Sequence, residues 1–288
     1  MERPQPNIRP LFRKAVALDR QGDVYTAVKI YKKLIKLAPN WSPPYQYLSS
    51  IYKYHNDWKA AFHYGQRAIE NGADKPDTWR NFAIAATALK KWKIARNAWN
   101  KVGFQLKESK KAPNFDMGLV PVRLRYDNFQ EIVWAKQIGP ARAIIESIPD
   151  PVSDRNYGDT ILIDFKVTGY RIVKGKKVPV YDELELVKRS HYRTFLVFLH
   201  DAQKNEANLL DRLCFNNDLG FDNWSHLNEM QLNKNLRCLP EYYNEDLEFN
   251  MEGEELRIAI AAEQASDVEE VMRAWTAISL KSYEILGM

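Results

Sequence analysis

The sequence predicts a multidomain chain, α and then α+β. An N-terminal α-solenoid of three helical hairpins is followed by a small β-rich barrel or sandwich and a C-terminal α+β layer. Three observations predict it. Ala27, Ala61 and Ala95 recur with a period of 34 residues, each inside a stretch long enough for two helices. Near residue 112 the apolar period changes from helical to strand-like. The charge reverses at the same place: residues 1–111 hold 22 Lys+Arg and 8 Asp+Glu, a balance of +14, and the remainder holds 20 and 29, a balance of −9, giving the net +5. Domains are therefore expected at 1–111, 112–190 and 191–288, the last packed with the β-rich region.

In the first unit Leu11, Ala15 and Leu18 share one helix face. A Gly22-Asp23 turn follows, then a second helix with Ala27, Tyr31 and Leu34, stopped by Pro39. The second unit repeats this with Tyr45, Leu48, Ser49 and Tyr52, a His55-Asn56-Asp57 turn, then Ala61 and Ala68. The third opens at Pro76 and places Trp79, Phe82, Ala83 and Ala86 before a Lys90-Lys91 turn, then Trp92, Ala95, Trp99 and Val102. Small residues let paired helices approach, and large ones fill the space between units. An ordinary antiparallel bundle has no reason to keep a fixed period, so it ranks below the repeat.

These residues resemble the tetratricopeptide repeat (TPR) family over roughly residues 8–107. Trp79, Phe82 and Ala83 look like the signature of its first helix; Ala27, Tyr31 and Pro39 look like that of its second. Lys14 and Gly65 depart from the pattern. The resemblance implies a concave face lined by the first helix of each unit. On that reading the partner-binding groove comprises Arg9, Phe12, Arg13 and Arg20 from the first unit, with Val16. It adds Gln46, Tyr47, Ser50, Lys53 and Tyr54 from the second, and Arg80, Asn81 and Ile84 from the third, with Thr87. One subfamily grips a chaperone's terminal carboxylate with a lysine-asparagine clamp. The corresponding places here hold Phe12, Val16, Tyr47, Asp77 and Asn81, so no such clamp is expected.

A basic, tyrosine-rich groove suits a protein or peptide partner with acidic character. The chain's own acidic half is an alternative occupant, and nucleic acid a less favoured one. The N-terminus lacks a signal-peptide core, no run is long enough to cross a membrane, and Cys214 and Cys238 form no metal or disulfide pattern. A cytoplasmic protein without membrane contact is expected.

Beyond a polar linker at 108–115, alternating segments at 120–126, 131–135, 141–145 and 160–164 read as strands. Residues 170–181 read as a hairpin with Lys174-Gly175-Lys176 at its tip, extended by 184–187. Strands are expected at 194–199 and 256–261, paired in one sheet, with a helix at 203–215 between them. Residues 216–253 read as a long loop or an excursion with short elements. A closing helix is expected from an N-cap at Ser266, with Glu269 completing a capping box, to about Leu286.

No catalytic signature is present: no phosphate-binding glycine loop, HExxH, GxSxG or CxxC occurs. No cofactor or metal site is expected. His200-Asp201 at a strand end could form an acid–base pair, but a turn with a satisfied imidazole is favoured. Asp182, Glu183 and Glu185 could hold a cation, but a charged edge strand is the commoner arrangement. The Tyr170, Arg171, Lys174, Lys176, Lys177 and Tyr181 hairpin could stack bases, but a solvated tip is commoner. The sequence thus points to a non-catalytic protein-interaction adaptor or scaffold. The alternatives are a nucleic-acid binder using the repeat face and the hairpin, and an enzyme or regulatory domain in the second half with recruitment by the repeats.

Overall fold

The structure, a computed structural model, describes residues 8–126, 129–173, 175–225, 242–244 and 255–287. The chain forms two compact units, Met1–Asn114 and Phe115–Met288.

The first unit contains six helices, α1 (Ile8–Arg20), α2 (Val24–Leu37), α3 (Ser42–Tyr54), α4 (Trp58–Glu70), α5 (Pro76–Ala88) and α6 (Trp92–Asn100). Each packs on its neighbour in chain order, as in a TPR-like solenoid, and α3 also meets α5. The period is visible at every level. The three turns reverse at Gly22, Asn56 and Lys90, all with positive φ (86°, 54° and 56°). The next residue is the N-cap of the second helix. Thr26 N–H donates to Asp23 Oδ1 at 3.1 Å, and Ala60 N–H donates to Asp57 Oδ1 at 3.0 Å. Lys91 stands in the third such place and makes no side-chain cap.

The small residues of the repeat are fully buried, namely Ala15 and Ala83 on the first helices and Ala27, Ala61 and Ala95 on the second. Ser49 joins them, its hydroxyl donating to the Ala61 carbonyl at 2.9 Å. Gly65 takes the place held by Tyr31 and Trp99 in the other units. A Cβ there would lie 3.0 Å from Ser49 Oγ and 3.1 Å from Phe82 Cδ2, so α4 is pressed against both α3 and α5. No proline ends α6. An extended strap takes over: the Arg96 guanidinium donates to the Lys107 carbonyl at 2.9 Å and to the Lys111 carbonyl at 3.1 and 3.3 Å. The Asn100 side chain exchanges two hydrogen bonds with the Leu106 backbone.

The second unit holds two sheets. β1 (Leu119–Tyr126), β2 (Phe129–Gly139), β3 (Arg142–Ile145), β4 (Thr160–Val173) and β5 (Lys176–Lys188) run in the order β3-β2-β1-β5-β4, and β3 also pairs with β4, so the five strands close into a ring. Val122, Leu124, Val133, Ala135, Ala143, Ile145, Ile161 and Ile163 fill its interior. The other sheet contains β6 (Arg193–His200), β7 (Gly220–Asn223), β9 (Glu255–Ala262) and β10 (Tyr283–Gly287) in the order β10-β6-β9-β7; the short β8 (Tyr242–Asn244) pairs with β4. Thr194 faces Ala261 and Leu199 faces Leu256, the pairing expected from sequence. Helices α7 (Lys204–Asn216) and α8 (Ala265–Ser279) cover one face around buried Trp275 and Met272.

Three expectations fail here. Ser266 lies inside α8, whose N-cap is Gln264 without a side-chain bond, so the Ser266–Glu269 capping box does not form. α8 ends at Ser279, where Leu280 adopts a left-handed φ of 57°, and Leu286 belongs to strand β10 instead. The excursion expected at 216–253 does contain a short element, β7, paired with β9. The acidic segment of β5 is no edge, because β1 and β4 flank it.

Candidate functional site

The residues expected to line the groove are carried by α1, α3 and α5. From α1, Arg9, Arg13 and Arg20 are exposed. Arg13 and Arg20 have no ion-pair partner among the described residues. Phe12 is only half available: its ring packs 4.9 Å from Trp41, 5.5 Å from Tyr47 and 6.0 Å from Tyr31. Tyr47 stacks on Tyr31 at 5.3 Å, so Phe12 and Tyr47 wedge the first two units together and show only an edge. Gln46 and Ser50 are partly exposed, and Tyr54 is 54% exposed.

Three expected groove residues are buried instead. Lys53 is buried, its ammonium 4.1 Å from the Tyr54 ring. Ile84 is fully buried and Thr87 nearly so, the Thr87 hydroxyl donating to the Ala83 carbonyl at 2.7 Å. Arg80 is tied to Asp77 at 3.0 Å, and Asn81 is partly exposed. The exposed positive charge of this face is therefore concentrated on α1 instead of running evenly along three units. Burial raises the Asp19 carboxyl above its usual range, and it is the one acid that α1 carries.

A second cationic surface was missed by reading only the first helices. α2 carries Lys29, Lys32, Lys33 and Lys36 and no acid. Lys29 lies 4.0 Å from the ring of Tyr25, which is 72% exposed. The helical spacing of three and four residues places these lysines on one stripe. The signal was in the sequence: four like charges at i, i+3 and i+4 cost helix stability and call for a counter-charge outside the helix.

The chemical candidates of the second unit resolve into structural contacts. The Arg125 guanidinium reaches Asp182 at 2.6 Å, with Arg123 at 3.8 Å, while Arg155 reaches Glu183 at 2.6 Å. The carboxylates alternate along β5 and face different arginines. Among the described residues, no group of three or more His, Cys, Asp or Glu could hold a metal. His200 Nδ1 lies 3.3 Å from Glu255, not from Asp201, whose φ of 52° marks a turn. At the hairpin, Arg171 lies 5.4 Å over Trp134, while Lys176 and Lys177 are exposed. Lys174 and Cys238 lie outside the described residues; Cys214 is buried, and burial pushes its thiol up to about 12. No helix among the described residues is long and apolar enough to cross a membrane.

No protein-family model matches the chain, and no curated protein matches it. Solved structures similar to it include YrrB, described as a TPR protein with an unusual peptide-binding site, at 18% identity over 32% of this chain and 48% of that one, TM-score 0.32. Another is the first TPR of Spaghetti (RPAP3) bound to an HSP90 peptide, at 18% identity over 34% and 78%, TM-score 0.32. A third is the Sgt2 TPR domain from Aspergillus fumigatus, at 17% identity over 34% and 66%, TM-score 0.31. All three are TPR structures. The chain spans about half the length of YrrB and two thirds of the Sgt2 domain.

Proposed function

We propose that the N-terminal unit is a non-catalytic interaction module that holds an extended, acidic segment of a partner protein along α1 and α3, within a cytoplasmic adaptor or scaffold. Supporting this reading are the exposed Arg13 and Arg20 of α1, without a described counter-ion, together with the exposed Tyr54 and the partly exposed Tyr47 of α3. Arginine forks bind carboxylates in a bidentate way, and rigid tyrosines cost little entropy on binding. Lys53, Arg80 and Ile84 serve the repeat's packing and take a smaller share of the ligand. The second unit, which we read as a small barrel bearing an α+β layer, holds a further partner or regulates the groove. Charge reversal tests this: an Arg9→Glu/Arg13→Glu/Arg20→Glu variant should lose partner capture from the native host. Undiminished capture by that variant rules out the α1 anchor.

The lysine stripe of α2 favours one second reading, nucleic acid along the outer face with Tyr25 as a stacking ring. It requires affinity for a single-stranded oligonucleotide that falls steeply with salt. An oligonucleotide that does not bind at low salt eliminates it.

A further inference from the structure

The four-stranded sheet ends at β10, which pairs only with β6 among the described strands. The pairing is regular, from Tyr283 opposite Leu199 to Gly287 opposite Phe195, with no bulge. His200 N–H donates to the Ser282 carbonyl at 3.1 Å, which marks Ser282 and His200 as a hydrogen-bonded pair. Such pairs alternate along an antiparallel ladder. Glu284 and Leu286 therefore bond inward to β6, while the N–H and C=O groups of Tyr283 and Ile285 point out from the edge. Native edges are usually blunted by proline, lysine, a bulge or extreme shortness. Here Glu284 is the one charge within β10. The edge is also flanked by exposed apolar side chains: Leu280 is 86% exposed, Ile278 62% and Leu286 46%.

We propose that β10 pairs with β10 of a second copy of this chain, antiparallel about a two-fold axis through Tyr283, making one continuous eight-stranded sheet. The outward groups of Tyr283 and Ile285 must form the hydrogen-bonded pairs, which leaves three registers. Setting Tyr283 against Ile285 of the second copy puts the two Glu284 side chains directly opposite each other, and like charges there are destabilising. Setting Ile285 against itself puts Glu284 against an apolar Leu286. Setting Tyr283 against itself puts Ser282 opposite Glu284, hydroxyl to carboxylate, and brings Leu280 beside Leu286 twice over. That last register is self-complementary, as a two-fold contact must be. It pairs the edge with an identical edge and covers exposed apolar groups in the same step. The strand is short, so the dimer is a weak one.

Sedimentation of the full chain over a range of concentrations reads this out. Expected is a concentration-dependent monomer–dimer equilibrium. Leu286→Lys sets a charge against Leu280 of the second copy and should weaken the dimer at least tenfold with an unchanged melting temperature. In a Cys238→Ser background, Tyr283→Cys should cross-link two copies on oxidation, because hydrogen-bonded antiparallel partners lie about 5.5 Å apart at Cα, within disulfide range. A chain that stays monomeric up to about 200 µM, a concentration that would reveal even a weak millimolar-to-micromolar association, overturns the proposal. So does a dimer that Leu286→Lys leaves intact. An edge filled by an extended peptide instead of a second copy would show as the first of these results.

Discussion

Glu131→Gln should stabilise the second unit at alkaline pH and flatten its pH dependence. Two partly buried carboxylates grip the short segment after β3. Asp150 N–H donates to both oxygens of Glu131 at 3.2 Å, and Ile148 N–H donates to Asp222 Oδ2 in a short hydrogen bond. Glu131 comes from the ring of strands and Asp222 from the four-stranded sheet, so the segment is pinned from both sides. Burial pushes Glu131 up to about 7 and Asp222 up to about 6, with the nearby Asp150 and Asp222 adding to the rise at Glu131. An acid whose pKa is higher when folded holds its proton more tightly in the folded state. The stability it contributes is fully present below the unfolded value near 4.5 and is lost as pH rises to about 7. A rise from 4.5 to about 7 corresponds to about 3 kcal/mol at most, and solvent at this partly buried site reduces it to about 2 kcal/mol. Glutamine keeps an acceptor for Asp150 N–H and carries no charge. Urea unfolding of the full chain at pH 5, 6, 7 and 8 measures the slope. The wild type should weaken across this range, and the variant should weaken less. A wild type that gains stability with pH, or a variant with the same slope, refutes the assignment.

Three further outcomes follow from packing. Gly65→Ala should cost about 1–3 kcal/mol in thermal or urea unfolding, because its Cβ meets Ser49 Oγ and the Phe82 ring; a neutral result would show that α4 can slide. Tyr31→Phe should raise the melting temperature, since the buried Tyr31 hydroxyl has no hydrogen-bond partner among the described residues and removing it relieves about 1 kcal/mol or more; a lower melting temperature would mean that the hydroxyl is bonded. Arg96→Ala should expose the strap to amide exchange at residues 104–111 while α1 to α4 keep their protection, because the buried guanidinium supplies its hydrogen bonds to Lys107 and Lys111.

The helical half was legible because its information is local. Each turn, cap and small residue recurs at a fixed interval, so three copies of one message check each other: Gly22, Asn56 and Lys90 turn alike although their side chains differ. Ring closure by β3 with β4 was not legible in that way, since it joins residues such as Arg142 and Leu162 whose partnership no period announces. Local propensity also misled where the tertiary choice was close. The segment after Ser279 has the composition of a continuing helix, yet Leu280 turns left-handed and Tyr283 and Ile285 pack their side chains on the α7–α8 side of the sheet. Strand pairing with β6 outweighs the few tenths of a kcal/mol per residue by which helix propensity differs.

The same distinction explains the groove. Spacing places Arg13, Lys53 and Arg80 on one side of their helices, but spacing says nothing about depth. Depth is set by what stacks on each hairpin. On α1, Arg9, Arg13 and Arg20 stay in solvent. Going toward the third unit, the equivalent places are covered, ending with Ile84 and Thr87. A solenoid of identical repeats would present an even charge along its hollow; three unequal repeats grade it from exposed to buried. The binding energy of an acidic partner should be graded likewise, with charge reversal at Arg13 costing more affinity than reversal at Arg80, whose guanidinium is already engaged by Asp77. Equal losses at the two positions would mean that the ligand runs the full length of the hollow and displaces Asp77 to do so.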